Sequence, residues 1–418
     1  MEPVKLIIIG AGSRGTCYSK FALQFPEHAK VVAVAEPRNV YRESLVKAHN
    51  IPDHNIFRDW CEVLKRPKFA DAVVIATQDD LHTAPAIAFA DLKYNILLEK
   101  PMATNPLDCS KIVEAAIHAD ILFAVCHVLR YTKYTQTLKQ LIDSGRIGEI
   151  VSMQHLEPVG YWHQAHSYVR GNWRKESITP MLLAKSCHDL DWIRYIMNSK
   201  CLKISSFATL KHFRHENMPT GAAKRCLECS IEAQCPYSAK KIYINRALKN
   251  DYEWPVNVLT SDTNVESVYE ELRTGPYGRC VYACDNDVVD NQVVNMLFED
   301  KKTASFTMTA FTKQDHRYTR IFGTRGEIIG DGLKIKIHDF LSDQTDYFDI
   351  DDGDPSIVGG HGGGDFALMA NFVEAVRKQD SNLILSGPEE TLETHMMVFA
   401  AEQARHNDIV VTLKNQSF

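Results

Sequence analysis

The chain has 418 residues, with 47 basic against 53 acidic side chains for a formal charge of −6. That is two or three compact units at about 150 residues each, without the positive field of a nucleic-acid-binding surface. Charged residues at 24% and hydrophobic ones at 45% exclude a disordered chain. No window nears the ~20 apolar residues of a membrane span, and the 6–9 run is too short for a signal-peptide core. An odd count of 11 cysteines without a secretion signal predicts free thiols in the cytosol.

In chain order, apolar runs at 6–9, 31–35, 72–76, 96–98 and 122–125 alternate with helical spacing at 40–48, 82–91 and 106–118. Runs with so little alternation predict a parallel sheet covered on both faces, joined by right-handed crossovers. The expected unit is a Rossmann dinucleotide-binding domain over 1–127. A helix at 133–143 ending at Gly145 follows, then a strand at 149–157. Alternating runs at 291–298, 304–310, 317–323 and 333–338 predict strands with one wet face. With helices at 180–197 and 366–379 they give an α+β domain over 128–418 with a large, mostly antiparallel open sheet. The polar, cysteine-rich and weakly periodic stretch 211–285 reads as an excursion from it.

Gly10-Ala11-Gly12-Ser13-Arg14-Gly15 follows the first strand directly and leads into a helix. Gly10 suits the tight turn, Gly12 the approach of a pyrophosphate, and Gly15 close packing of helix on strand. Glu36 closes the second strand, where a carboxylate holds the two hydroxyls of an adenosine ribose. It favours NAD, while Arg38 leaves NADP open. A second glycine cluster at 359–364 has no strand before it and reads as a loop. Asp365 then reads as the N-cap of a helix whose face is Phe366, Met369, Val373 and Val376.

Glu99-Lys100-Pro101 ends a further strand. Ligands of such sheets lie outside the carboxyl ends of the strands, so Lys100 projects toward the nicotinamide crevice. In the helix at 180–197, Lys185, His188 and Asp191 share one face. A lysine and a histidine there could take a hydroxyl proton while hydride leaves the same carbon; His188 as a hydrogen-bonded core residue is the competing reading.

Together, Gly10–Gly15, Ala76-Thr77 with His82, Glu99-Lys100-Pro101, Arg130-Tyr131, Gly145-Arg146-Ile147-Gly148 and Ser186-Cys187-His188-Asp189-Leu190-Asp191 resemble the glucose–fructose oxidoreductase, inositol dehydrogenase and rhizopine-catabolism (Gfo/Idh/MocA) family over most of the chain. The resemblance implies a bound NAD(P), oxidation or reduction of a sugar or polyol, homodimers or homotetramers built through the open sheet, and Lys100 and His188 at the reacting carbon. The expected cofactor contacts are Gly10, Gly12, Ser13, Arg14, Gly15, Glu36, Arg38, Thr77, His82, Glu99, Lys100 and His127. Two positions depart from the family pattern: Ala184 stands where many members have an aspartate, with Lys185 beside it, and His127 where members often have asparagine.

The segment 157–174 is dense in aromatics and charge. Trp162 and Trp173 suit the C–H faces of a sugar, and Arg170 and Arg174 a carboxylate or phosphate. His163 and His166 complete a substrate wall, to which we add Arg130 and Asp191. With Glu157 the two histidines offer a divalent-metal reading, and plain loop packing is the third. Cys226-x2-Cys229-x5-Cys235 and Cys280-x3-Cys284 give five thiols for the four places of a structural zinc. The candidate set is Cys226, Cys229, Cys235 and Cys280, with Cys284 a competitor and disulfides or independent thiols as alternatives. The expected function is a NAD(P)-dependent sugar or polyol oxidoreductase. An NAD-assisted glycoside-cleaving enzyme and a non-catalytic NAD sensor are the alternatives.

Overall fold

Unalternated apolar runs become strands that are buried on both faces. In the computed structural model, which describes residues 2–350 and 363–413, these are β1 (Val4–Ile9), β2 (Ala29–Ala35), β3 (Ile56–Phe57), β4 (Ala72–Ile75), β5 (Asn95–Leu98) and β6 (Phe123–Val125). They pair in the order β3-β2-β1-β4-β5-β6, all parallel. The order reverses between β1 and β4, which opens a crevice at their carboxyl ends. Helices α1 (Ser13–Gln24) and α2 (Asn39–His49) cover one face through Tyr18, Phe21 and Leu45. Helices α3 (Thr83–Asp91) and α4 (Pro106–Ala119) cover the other through Phe89, Ile112 and Val113. Asn105 starts α4, accepting from the Asp108 N–H at 3.0 Å with Pro106 at the first helical position.

The second unit begins with α5 (Lys133–Asp143), β7 (Ile150–Pro158), α6 (Met181–Met197) and β8 (Cys201–Thr209). Beyond α7 (Val265–Thr274) come β9 (Asn291–Phe298), β10 (Thr303–Thr309), β11 (Tyr318–Gly323), β12 (Gly326–Gly330), β13 (Lys334–Asp339) and β14 (Gln344–Asp349). Helices α8 (Gly364–Lys378) and α9 (Pro388–Asn407) and the short β15 (Val411–Thr412) end the described chain. The nine-stranded sheet runs β14-β13-β12-β11-β7-β10-β9-β8-β15; only β7 and β10 pair in parallel. One face packs on α6 and α9 through Leu190, Ile193, Met397 and Val398. Val151, Phe207 and Val293, from β7, β8 and β9, are exposed. Among the described residues no helix is long and apolar enough to cross a membrane.

Two expectations change. The stretch 211–285 holds a core of its own, in which Phe213, Tyr237, Tyr243, Val268, Leu272 and Val281 pack against Ala165, Val169 and Ala310. Apart from α7 and a short helical stretch at 239–247 its elements are single turns, too short to show a period. Helix α8 starts at Gly364, with Gly363 at the cap in a left-handed conformation (φ 77°), so Asp365 lies in the first turn and is no N-cap. Its apolar face, from Phe366 to Val376, completes the α1 side of the first sheet. The rest of the second glycine cluster, with His361, lies outside the described residues.

Candidate active site

The turn after β1 has the shape its glycines predict. A Cβ on Gly10, whose φ is +89°, would sit 2.6 Å from the Ala76 carbonyl oxygen, and one on Gly15 would sit 1.9 Å from the Gly10 oxygen. At Gly12 a Cβ would meet only the Arg38 guanidinium, at 3.3 Å, so this backbone stays approachable. Helix α1 starts at Ser13 with no acid in its first turn, leaving its positive end to an anion.

At the end of β2, Glu36 is 1% exposed. Its carboxylate accepts from Ala11 N at 2.8 Å and from Arg38 Nε at 2.7 Å and Nη2 at 2.9 Å. Burial pushes this acid up, but the Arg38 and Ala11 hydrogen bonds outweigh it and leave it below the ordinary carboxylate range. Arg38, folded over the Tyr41 ring at 4.2 Å, is thereby drawn onto Glu36. Glu36→Ser should release it. The expected result is a shift of at least about tenfold, ~1.4 kcal/mol, in relative affinity from NADH toward NADPH, read by fluorescence titration of both nucleotides.

Arg14 binds Tyr18, Glu99 and, across the crevice, Asp365 of α8, and Glu99 also accepts from Tyr18. These groups brace the floor of the crevice. Thr77 donates to the Leu81 carbonyl at 3.2 Å. The His82 ring is fully buried between the Pro101 and Thr77 carbonyls, at 2.8 and 3.3 Å. His82 therefore braces two loops through both of its ring nitrogens.

From the end of β5, Lys100 reaches α6 and donates to the Ala184 carbonyl at 2.6 Å. In a helix that carbonyl also faces the N–H of residue 188, so the ammonium sits one turn before His188. His188 is 4% exposed, and its ring lies 5.8 Å from that of His127, which is 5.4 Å from that of His395 on α9. Neither His127 ring nitrogen has a hydrogen-bond partner. Burial holds His127 down to about 3, against the pull of Asp191, and His395 is lowered for the same reason.

Lys185 turns to Glu157 of β7 at 3.0 Å, and Glu157 also meets Arg317 at 2.7 Å. Arg317 reaches Asp189, which faces His155 at 3.3 Å. Burial lowers Lys185, with Glu157 opposing. Lys185 thus belongs to a buried charge network beside the lysine–histidine pair.

Four substrate candidates are engaged by partners within the protein. Arg130 is fully buried, with both its bonds to Asp191 at 2.7 Å and further bonds to Glu390 at 2.8 Å and the Leu385 carbonyl at 2.6 Å. Asp191 also accepts from Thr394 at 3.0 Å. Each charge satisfies the other, which locks α6 to α9. Arg170 points into the cysteine-rich unit, donating to the Arg279 and Tyr237 carbonyls at 2.8 Å. Arg174 pairs with Asp285 at 3.0 Å.

The aromatic segment divides. His166 is buried, bonded to Tyr243 at 2.9 Å and stacked on Tyr277, so it stands behind the wall. Trp162 and His163 form the wall with Trp254, at ring distances of 5.1 and 5.0 Å. Trp173 Nε1 donates to Asp79 at 3.0 Å, joining the wall to the loop after β4. The metal reading of Glu157, His163 and His166 fails because Lys185 and Arg317 occupy the carboxylate and Tyr243 occupies His166. Among the described residues, three such ligand atoms lie within 4.8 Å of one another only at Glu176, Glu402 and His406, where Arg405 already meets both acids. No three thiols are that close, so Cys226, Cys229, Cys235 and Cys280 do not form a zinc tetrahedron. All 11 cysteines are free, which removes the disulfide reading.

Sequence reasoning missed His395, Arg317, Asp79 and Trp254. The first three act across long chain separations and carry no local signal; Trp254 lies in the unit whose core was not read.

Comparison with known proteins follows the two-part build. A family model described as oxidoreductase family, NAD-binding Rossmann fold, matches residues 4–127, and its companion for the C-terminal alpha/beta domain matches 139–413. The putative oxidoreductase YteT of Bacillus subtilis is 21% identical over 387 residues, 88% of this chain and 87% of that protein. The 2,7-anhydro-N-acetylneuraminate hydratase of Escherichia coli is 27% identical over 46% of this chain and 48% of its own. The myo-inositol 2-dehydrogenase of Thermotoga maritima is 23% identical over 47% and 56%. A solved levoglucosan dehydrogenase in complex with NADH and L-sorbose superposes with a TM-score of 0.73 at 17% identity, covering 99% of this chain and all of that one. That likeness establishes the fold.

Proposed function

We propose a reaction from one premise: the chain belongs to the Gfo/Idh/MocA oxidoreductase family, whose NAD-binding Rossmann domain it carries at 4–127. The reaction is hydride transfer between a nicotinamide and a secondary alcohol of a sugar, sugar derivative or polyol. The residues present fit the dinucleotide: Gly12 and the α1 N-terminus for the pyrophosphate, Glu36 for the adenosine ribose, and buried His127, whose Nδ1 has no hydrogen-bond partner and whose Nε2 lies 3.6 Å from Asp191. When bound, the nicotinamide supplies the hydride acceptor or donor. Lys100 holds an ammonium against the substrate oxygen and stabilises its negative charge as the proton leaves. His188 accepts that proton. Lys100 is held by the backbone carbonyl of Ala184, whose methyl side chain brings no carboxylate to neutralise the ammonium, so its charge is directed to the substrate. Trp162, His163 and Trp254 offer the apolar wall on which a sugar ring stacks.

The observation that carries this reading is Lys100 of the first domain seated on the helix of His188. The test is a screen of free sugars, sugar acids and inositols for NADH formation, supported by steady accumulation with at least one. A second reading rests on the missing carboxylate at Ala184: cleavage of a glycoside by elimination, with no net use of the dinucleotide. Aglycone release without accumulated NADH would favour it. The exposed face around Phe207 and Val293 supports assembly with a second copy of the chain, and the free cysteines support a cytosolic setting.

A further inference from the structure

The cysteine-rich unit walls a cavity of about 220 Å³. Backbone pairing brings distant thiols to it. A bridge joins Arg225 to Arg279, and Cys280 N donates to the Lys224 carbonyl at 2.8 Å, which sets Cys280 beside Cys226. A tight turn, Cys229 N to the Cys226 carbonyl at 3.4 Å, adds Cys229, and the turn Glu232–Gln234 delivers Cys235. All four thiols line the cavity; Cys284 does not, and its Sγ turns to the Cys280 carbonyl at 3.2 Å.

Arg170 lines the same cavity at 1% exposure. Its Nη2 lies 3.4 Å from Cys226 Sγ, and its Nη1 has no partner. Among the described residues no carboxylate pairs with it; Glu232, also at the cavity, is taken by Ser238 and Lys240. A buried guanidinium without a counter-charge is strongly unfavourable. Four neutral thiols do not relieve it, whereas four thiolates on a metal centre do, since such a centre is anionic and accepts N–H···S hydrogen bonds. Spacing selects the kind of centre. One tetrahedral ion with metal–sulfur bonds of about 2.3 Å draws its thiolates closer than 4.8 Å, and no three of these stand so close. A cubane places each thiolate on a separate iron and needs the room between them.

We propose that Cys226, Cys229, Cys235 and Cys280 ligate a [4Fe–4S] cluster in this cavity, with Arg170 as its buried counter-charge. A preassembled cluster enters by ligand exchange: as each iron forms a bond to a cysteine sulfur, its bond to a carrier thiolate breaks, the cysteine proton passes to that departing thiolate, which leaves as a thiol, and no electron is exchanged. The centre fixes the segment from Gln164 to Arg170, and with it the wall of the active cleft.

The test is iron, acid-labile sulfide and zinc analysis of the full chain purified without oxygen, and again after anaerobic reconstitution with equal parts of ferrous and ferric iron and sulfide. The expected result is a brown protein with about four irons and four sulfides per chain. Cys229→Ser and Cys235→Ser should lose more than half of the iron, and Cys284→Ser should keep it. One zinc per chain without sulfide, no metal after reconstitution, or equal loss in Cys284→Ser would each overturn the proposal. The wild-type analysis decides the matter even where a variant fails to fold.

Discussion

Lys100→Met is expected to lower kcat/KM by about 10³, within the range for a group that manages charge and proton in a transition state, while dinucleotide affinity changes little. The ammonium comes from the first domain, yet its hydrogen bond at 2.6 Å is to α6 of the second. It therefore depends on domain docking and acts on the substrate side. Burial holds its histidine neighbours His127 and His395 below the ordinary imidazole range, and Arg130 is already committed to Asp191, so the lysine is the group left to meet the substrate's charge. Steady-state kinetics on a substrate from the NADH screen, with nucleotide titration of the variant, separates the two effects. Unchanged turnover would remove Lys100 from the catalytic machinery and leave its role to another group.

The second large effect is acid lability. Burial lowers both His127 and His166 to about 3, against 6.5 in an unfolded chain. Between those values the unfolded state binds more protons, so stability rises with pH there. The stabilisation is complete above pH 6.5 and is lost as pH falls toward 3. Each histidine contributes a slope of about 1.4 kcal/mol per pH unit in the middle of that window. Urea denaturation at pH 7.5, 5.5 and 4.5 should show the decline. His127→Asn should flatten it by about that amount for one group; an unaltered slope would mean that His127 takes up its proton in the folded state.

Much of this was legible from the residues alone. The runs at 31–35, 72–76 and 96–98 became strands within two residues of their expected ends, because a strand buried on both faces has only apolar positions to offer. Helix α9 was not legible, since Thr391, Thr394, His395 and Glu402 are buried along it and break any apolar stripe. Those polar groups serve contacts distant in sequence: Thr394 meets Asp191, and His395 accepts from the Met102 N–H at 2.9 Å. At the site, the glycine turn and Glu36 could be read because their geometry is local. Arg130 and Asp191 looked like ligands for an outside molecule, since nothing nearby in the chain reveals that each is the other's partner.

The α1 side of the first sheet is finished by α8, and His395 of α9 anchors the loop at Met102 on its other side. Synthesis runs the opposite way, with the first 127 residues leaving the ribosome before either helix exists. The nascent nucleotide-binding half must therefore wait with apolar surface uncovered until the segments of α8 and α9 have been made. Release of a chain cut short before Gly364 should accordingly yield a chaperone client and not an independent small domain.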